Sequence, residues 1–422
     1  MANKQQELIT AIDVGSAKTF VLVAEVLEGA VRYLGHGTHE SRGSRKGAIV
    51  DLEKAVVSIQ RAVEKAEAAA GVAVESAVVG VGGVHLRGVN SRGGVTLASR
   101  AREITRDDIR DAVEKARAVA LPPDWQVMHL LPQEFIVDEQ NSVRDPAGML
   151  GSKLEVQVHV VTALSAMTQN AVTALNRAGV EVLDTIFEPL ACAECVLKAD
   201  ERELGVCLLD IGAGSTELIV YHEGVVRHSG VVPIGGDHFT NDLAVGLRTP
   251  LADAEKLKRS FGSGVVTRVP EGHEIEVPAV GDRPSRLMPQ RFLAEVLEPR
   301  AGELFEHVRD NLRQAGALEL CGAGMVLTGG GSRLAHLAEI AEQTVRKPAR
   351  LGRPSPMAKL PAELAEPDFA AAIGMVFYAN RSRYARRKDE AGLAGKLKSF
   401  FARASMCISI TEAQRHRVRQ YE

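Results

Sequence analysis

Two stretches of the chain carry the same plan. ITAIDVGSAKTFVLVAEVLEGAV, from Ile9 to Val31, and LLDIGAGSTELIVYHEGVV, from Leu208 to Val226, each read as an apolar strand, a glycine turn, a second strand and a hairpin. Asp13, Gly15 and Thr19 of the first copy fall at the spacing of Asp210, Gly212 and Thr216 of the second. A unit repeated so far apart predicts two related α/β halves rather than one core, and 422 residues suffice for two or three cooperative units.

The stretches between the copies support that division. Leu52–Ala70 sets Ala55, Val56, Ile59, Val63 and Ala66 on one helical face, and Ser76–Gly82 returns to a strand. From about Val84 the texture changes. LRGVNSRGGVTLASR predicts a Gly- and Arg-rich hairpin. TRDDIRDAVEKARAVALPPD predicts a helix opened by a Thr105–Asp108 capping box, striped by Ile109, Ala112, Val113, Ala116 and Val119, and ended by Pro122. With strands at 126–137 and 154–162, this is a small α+β insertion in the first half. Helices at 166–178 and 189–199 flank a strand at 182–187, and further helices follow at 249–263, 290–315 and 369–381. A buried strand, Met325–Leu327, feeds TGGGSRLAHLAEIAEQ, in which Ser332 is expected to open a helix.

Composition excludes several classes. A net charge of -3 gives no global pull towards nucleic acid. Five cysteines (Cys192, Cys195, Cys207, Cys321, Cys407) are an odd number set mostly in apolar runs, which fits a reducing cytoplasm. Cys192 and Cys195 form a CxxC without a second pair and read as buried packing residues. The polar start, MANKQQELIT, is no secretory signal, and no apolar run approaches the roughly 20 residues of a spanning helix. The expectation is a cytosolic protein or one lying on a membrane surface.

The doubled turn suggests its own chemistry. A tight Gly/Ser/Thr turn between strands exposes consecutive backbone N–H groups that suit a phosphate chain. Asp13, Gly15, Ser16, Lys18 and Thr19 in the first turn, and Gly212, Gly214, Ser215 and Thr216 in the second, are the candidates. Asp13 and Asp210 make sense beside phosphate as outer-shell anchors of one Mg²⁺, which keeps its waters and takes few carboxylates. Lys18 would neutralise terminal phosphates as a point charge. Gly329, Gly330, Gly331 and Ser332 add a third phosphate- or ribose-binding turn.

This order of motifs resembles the actin-like ATPase superfamily. The resemblance implies an α/β, actin-like (ribonuclease-H-like) two-lobe ATPase fold with an α+β subdomain inserted in the first lobe. FEPLACAE resembles its first connecting motif, where Glu188 would orient the hydrolytic water, with Asp210 supporting slow hydrolysis. DAEKLKRSFG resembles the adenine-side helix, placing Glu255 and Lys258 by the ribose and base, and Gly235 and Gly236 are the usual glycines beside the nucleotide. AAIGMVFYA resembles the helix returning to the first lobe.

Within the superfamily the chain resembles the FtsA family of bacterial cell-division ATPases over roughly residues 7–403. The insertion follows Gly82, and IGGDHFTNDLAVGLRTPLADAEKLK, EVLEPRAGELFEHVRDNL and TGGGSRLAHLAEIAEQ share the family's wording. That resemblance divides the chain into a first-lobe core (1–83 and 164–204), the inserted subdomain (84–163) and a second-lobe core (205–240 and 323–380). A small second-lobe subdomain (241–322), a basic linker (381–391), an amphipathic membrane-targeting helix (392–404) and a polar tail (405–422) complete it. It implies ATP and Mg as cofactors, at most a slow Mg-dependent ATPase, self-association into an actin-like filament, and a peripheral place on the cytoplasmic face of the inner membrane at the division site. Its implied partners are an anionic membrane surface, later divisome proteins and the C-terminal peptide of FtsZ, the tubulin-like division polymer, with Arg300 a candidate acceptor for that peptide; no nucleic acid is expected.

The C-terminal stretch can be read without the family. Residues 380–403 hold eight Lys and Arg against Asp389 and Glu390, a local charge of +6. GLAGKLKSFFAR places Leu393, Leu397, Phe400 and Phe401 on one face, with Lys396 and Lys398 at its sides, the form of a helix lying in a membrane interface. Burying four such side chains is worth at most about 6 to 12 kcal/mol, against about 1 kcal/mol for each backbone residue ordered. Basic residues add on the order of 1 kcal/mol apiece near anionic lipid. One copy is therefore a marginal anchor, and a filament of copies binds by avidity. SMCISITEAQRHRVRQYE then extends the chain as a polar, basic tail.

Two rival readings share the superfamily. A PilM-like pilus-assembly adaptor would lack the amphipathic helix, and a metabolic kinase would need a sugar-binding pattern that the sequence does not show.

Overall fold

The computed structural model describes residues 7–27, 29–281, 283–355 and 357–391. The six candidate membrane residues, Leu393, Lys396, Leu397, Lys398, Phe400 and Phe401, and the tail 405–422 lie outside the described residues. Among those described, no helix is long and apolar enough to cross a membrane.

Each copy of the repeat builds one sheet. In the first, β1 (Glu7–Val14) pairs antiparallel with β2 (Lys18–Leu27), and β2 with β3 (Ala30–Glu40). On the other side of β1 lie two parallel strands, β4 (Ser76–Val81) and, beyond the insertion, β9 (Glu181–Phe187). The strands of the insertion separate these in the chain. β5 (Leu86–Thr96), β6 (Trp125–Val137) and β8 (Lys153–Leu164), together with the short β7 (Gln140–Val143), form a separate four-stranded sheet in the order β7-β6-β8-β5. The second lobe repeats the first: β10 (Val206–Ile211), β11 (Thr216–His222) and β12 (Val225–Val232) are the antiparallel set, followed by parallel β13 (Met325–Thr328) and β14 (Ala349–Leu351). The orders β3-β2-β1-β4-β9 and β12-β11-β10-β13-β14 match strand for strand. The repeat seen in the turns is thus a repeat of whole sheets.

Helices fill the layers. α1 (Leu52–Ala70) lays Val56, Ile59, Ala62, Val63 and Ala66 on the face of the first sheet that carries Val21 and Val23. Asp51 caps it by accepting from the Lys54 N–H, and Gly71 ends it at φ 70°, where a Cβ would be strained. α2 (Arg106–Arg117) covers the inserted sheet and begins with the full Thr105–Asp108 capping box. α3 (Ser165–Arg177) packs beside α1. Between the lobes lie α4 (Glu188–Val196) and, at the far end of the described chain, α10 (Ala370–Ala391). Both sit in one core with Phe20, Leu22, Leu208 and Ile219, residues of both sheets. Gly374 of α10 lies so close to α4 that a Cβ there would overlap the Ala191 carbonyl oxygen. The short α5 (Ala199–Leu204) leads into the second lobe, where α6 (Gly236–Leu247), α7 (Leu251–Phe261), α8 (Gln290–Gln314) and α9 (Leu337–Val345) bury Leu243, Leu257, Leu297, Phe305 and Ile340.

Three local expectations are corrected. The Gly/Arg-rich segment is no hairpin: β5 runs unbroken along β8 from Leu86↔Ala163 to Thr96↔Lys153. Its Gly93 makes room for α2, because a Cβ there would overlap the backbone of Ala112 and Ala116. The helix expected at Ser332 starts only at Leu337; Gly330–Arg333 is a 3-10 turn closed by the Ser332 hydroxyl donating to the Gly329 carbonyl at 2.7 Å. Finally, α10 continues as helix through 381–391, where the sequence suggests a linker. Arg381 pairs with Glu194 at 3.0 Å and Arg383 donates to the Leu8 carbonyl at 2.7 Å. Two of the tail's basic residues are therefore tied to the body.

Candidate functional site

The site is made where the two hairpin turns meet. Each turn is short because its strands pair to their ends, Val14 with Thr19 and Ile211 with Thr216. The Gly212 N–H donates to Ser215 at 2.9 Å, and Gly236 and Asp237 at the start of α6 donate to Gly212 and Ala213 at 2.9 and 2.8 Å. Gly235 and Gly236 therefore lie directly on the second turn; a Cβ on Gly235 would stand 2.6 Å from the Ala213 oxygen. The turns face each other, since a Cβ on Gly214 would sit 3.1 Å from the Ser16 hydroxyl. Ser16 in turn accepts from the Gly47 N–H at 3.1 Å. A Cβ on Gly15 would meet the Lys18 carbonyl at 3.0 Å and Asp13 Oδ1 at 3.5 Å. Thr19 and Thr216 are wholly buried and fix the strands behind the turns, Thr19 against Ser41 at 2.9 Å and Thr216 by donating to Ile234 at 2.7 Å.

Below the turns four acids converge. Asp13 and Asp210 hold equivalent places on the central strands. Glu188 opens α4 beneath Gly80 and Gly82, where added Cβ atoms would run into its carboxylate. The fourth, Glu217, stands opposite Asp210 across the β10–β11 pair. Its Oε1 accepts from the Ser215 hydroxyl in its own lobe and from the Gly83 N–H in the other, both at 2.7 Å. Burial lifts all four carboxyls, because a charge loses its water there. Asp13 rises to about 6, with Lys18 opposing and Asp210 adding to the lift. Asp210 also rises to about 6, moderated by the Cys192 thiol donating to its Oδ2 at 3.3 Å. Glu217 reaches about 7 through burial and then Asp210, against hydrogen bonds from Ser215, Gly83 and its own backbone. Glu188 is raised well above its ordinary value by burial and then by Asp13, Glu217 and Asp210. Such a cluster calls for a compensating cation. Among the described residues, no three such side chains are placed to hold a metal ion by themselves.

The remaining candidates ring this floor. Gly329, at φ 79°, packs on Asp210 and Ile211, Gly331 on Ile211, and a Cβ added to Gly330 would stand 3.5 Å from Asp368 Cβ. A side chain at Gly329 would both strain the backbone and overlap Asp210 Oδ1. Lys258 donates to the Gly236 carbonyl at 2.9 Å and to Thr240 at 2.7 Å, and pairs with Glu255 at 2.6 Å. Glu255 and Lys258 thus border the glycines of the second turn. Lys18 does not reach into open space: its Nζ lies 2.8 Å from Asp368 Oδ2 and 3.7 Å from the Phe369 ring centre. Arg300 stands on α8, held by Asp242 at 2.6 and 3.1 Å and by Glu303.

Sequence reasoning missed Glu217, Asp368 and the polar role of Cys192. Glu217 had a signal: an acid in the otherwise apolar strand TELIVY, seven residues after Asp210 across a tight turn. Asp368 had none, because its contact with Lys18 spans almost the whole chain.

Comparison with known proteins agrees with this architecture. The family model for cell division protein FtsA matches residues 207–374, and that for the SHS2 domain inserted in FTSA matches residues 83–162. Cell division protein FtsA of Pseudomonas aeruginosa is 43% identical over 380 residues, 90% of this chain and 91% of its own. The Neisseria meningitidis protein is 37% identical (88% and 90% covered) and that of Bacillus subtilis 32% (89% and 84%). Among solved structures, the PilM–PilN type IV pilus biogenesis complex superposes with a TM-score of 0.62 at 18% identity, covering 88% of this chain and 97% of that one. MreB5 of Spiroplasma citri bound to ADP does so at 0.52 and 12%, covering 92% and 99%. These distant likenesses are of fold, a two-lobe actin-like ATPase fold, here with an α+β subdomain inserted in the first lobe. On its sequence relations, the chain belongs to the FtsA family of cell division proteins.

Proposed function

We propose that the cleft between the lobes binds ATP with Mg²⁺, and that nucleotide governs assembly of the protein on the cytoplasmic face of the inner membrane, where it tethers the FtsZ ring and recruits later division proteins. The observation that carries the nucleotide reading is the meeting of two duplicated turns over four carboxyls, three of them pushed to about 6 or 7. The donor set fits Mg²⁺, which keeps most of its waters and needs only one or two carboxylates beside phosphate oxygens. Bound there, the ion would supply charge neutralisation for the phosphates. Asp13 and Asp210 would hold its waters, and Gly15, Ser16, Thr19, Gly212, Gly214, Ser215 and Thr216 shape the two phosphate turns. Glu188, kept basic or protonated by the same cluster, would orient an attacking water and support a slow hydrolysis. Gly235, Gly236, Glu255, Lys258 and the Gly329–Ser332 turn would border the nucleoside.

The outer functions rest on family membership and on the charge pattern of the sequence. Subdomain 241–322 would receive the C-terminal peptide of FtsZ. Arg300 is already held by Asp242 and by Glu303, so an acidic group of the peptide would compete first with Glu303, the more exposed of the two. The helix 392–404 would lie in the membrane interface through Leu393, Leu397, Phe400 and Phe401, with Lys396 and Lys398 on anionic headgroups. A pilus adaptor of the PilM type is favoured by fold likeness alone, at 18% identity. The test has two arms: ATP titration with and without magnesium, and co-sedimentation of the full chain with anionic liposomes beside a chain ending at Asp389. No ATP affinity with magnesium present would remove the nucleotide reading, and equal sedimentation of both chains would remove the anchor.

A further inference from the structure

We propose that Asp368 is a built-in competitor of the nucleotide's phosphates: it holds Lys18 until a phosphate takes the lysine over, and so sets how tightly a triphosphate binds. The inference rests on the reading of the cleft as a triphosphate site. Lys18 is the cation of the first turn, next to Asp13 and rising from β2 in the first lobe. Asp368 belongs to the second half of the chain, in the 3-10 turn Pro367–Phe369 just ahead of α10. Its Oδ2 lies 2.8 Å from Lys18 Nζ and its Oδ1 3.2 Å from Arg333 Nη1, which comes from the glycine turn. One carboxylate is thus shared by two cations that belong to opposite sides of the cleft. That is the place and charge a phosphate oxygen would take.

The pair is built to compete. Asp368 is 16% exposed and Lys18 28%, so their attraction is less screened than that of a surface pair. Lys18 also lies over the Phe369 ring at 3.7 Å, and Phe369 packs tilted against Phe20 at 4.8 Å, so the ammonium has a second favourable contact beside Asp368. Asp368 cannot follow the lysine elsewhere. The Pro367 carbonyl accepts from the Gly329 N–H at 3.1 Å and from the Thr328 hydroxyl at 3.3 Å, pinning the segment to the glycine turn. When Lys18 leaves, Asp368 stays with Arg333, and a cross-lobe tie is exchanged for one through the phosphate.

A competitor and a helper predict opposite signs. If Asp368 competes, Asp368→Asn in the full chain binds a fluorescent ATP analogue with magnesium about tenfold more tightly than wild type, the 1.4 kcal/mol expected of one lost charge-assisted partner. ADP gains less. The gain disappears in the Lys18→Met background. Without nucleotide the variant melts earlier than wild type, while its ATP-induced rise in melting temperature is larger. In wild type, the NMR signal of ¹³C-methylated Lys18 moves on adding ATP and stays in place on adding adenosine, a readout that needs no substitution at Asp368. Unchanged or weaker ATP binding by Asp368→Asn, or an unmoved Lys18 signal at saturating ATP, overturns the inference. Failure of wild type itself to bind ATP would instead remove the reading of the cleft, and the competitor with it.

Discussion

Glu217→Gln is expected to stabilise the nucleotide-free protein above neutral pH, the reverse of most polar changes in a core. Glu217 is 3% exposed, and burial followed by the nearby Asp210 pushes its carboxyl from 4.5 to about 7. A raised folded-state value means that the folded protein holds this proton more tightly than the unfolded chain. Below about pH 4.5 both states are protonated and the group costs nothing. As pH climbs from there to about 7 the unfolded chain ionises first, so stability falls, and above about 7 the full penalty is present. The shift corresponds to roughly 3 kcal/mol. Glutamine carries no charge at any pH and keeps an oxygen to accept from Ser215 and Gly83, both now at 2.7 Å. Asp210, its cross-strand neighbour, is an acceptor on the same face for the new N–H₂. With an unfolding entropy of about 2.1 cal/mol/K per residue, 1 kcal/mol moves the melting temperature by about 1 °C in a chain of this length. Calorimetry in the presence of a chelator should find the variant about 3 °C above wild type at pH 8 and level with it near pH 4.5. A gap of the same size at both values, or a variant less stable at pH 8, would refute the reasoning from burial.

Three other substitutions probe separate links. Gly374→Val drives a side chain into the Ala191 carbonyl where α4 and α10 cross, and since backbone cannot step aside the cost should reach about 3 kcal/mol or more, read as a fall in melting temperature. Thr105→Ala removes the hydroxyl that accepts from the Asp108 N–H at 3.2 Å and should cost about 1 kcal/mol. Hydrogen exchange should quicken in the first turn of α2 and nowhere in the lobes. Lys258→Ala removes the ammonium that joins the Gly236 carbonyl, Thr240 and Glu255 and is expected to weaken ATP binding by about an order of magnitude, measured by titration, with Glu255 left to Arg259 and the Thr240 hydroxyl.

What the sequence disclosed was whatever local rules govern. α1 was legible because its apolar face repeats at three and four residues. The two turns were legible because the same residue types recur at fixed offsets. The misread places are those where a neighbour distant in sequence overrules the local signal. Gly93 and Gly94 look like a turn, but β8 holds them in a strand and α2 needs the space above Gly93. Ser332 follows three glycines and precedes a helical pattern, yet its hydroxyl is spent on the Gly329 carbonyl and the turn stays 3-10. Arg381 and Arg383 look like part of a free basic run, and Glu194 and the Leu8 carbonyl claim them for the body. In the site, the equivalent carboxylates were visible by symmetry, while Asp368 was not, because nothing in a linear reading relates it to Lys18.

The duplicated halves agree in backbone and part company in charge, and electrostatics says why they must. Asp13 corresponds to Asp210 and Thr19 to Thr216, but Lys18 corresponds to Ser215 and Phe20 to Glu217. Facing turns share one floor, so their charges are not independent. With Glu188 the cleft already holds four acids, and each lifts the next: Asp210 raises Asp13 and Glu217, and all three raise Glu188. An acid in place of Phe20 would add a fifth, which could ionise only at further cost. It would also remove the ring that packs against Phe369 beside Lys18. A second lysine in place of Ser215 would take away the hydroxyl that now donates to the buried Glu217 carboxylate beside the Gly83 N–H. The first turn therefore carries the cation and the apolar support, and the second the hydroxyl and the acid that ties it to the opposite lobe. Symmetry supplies the clasp, and its breaking at two positions lets both halves close on one shared set of charges.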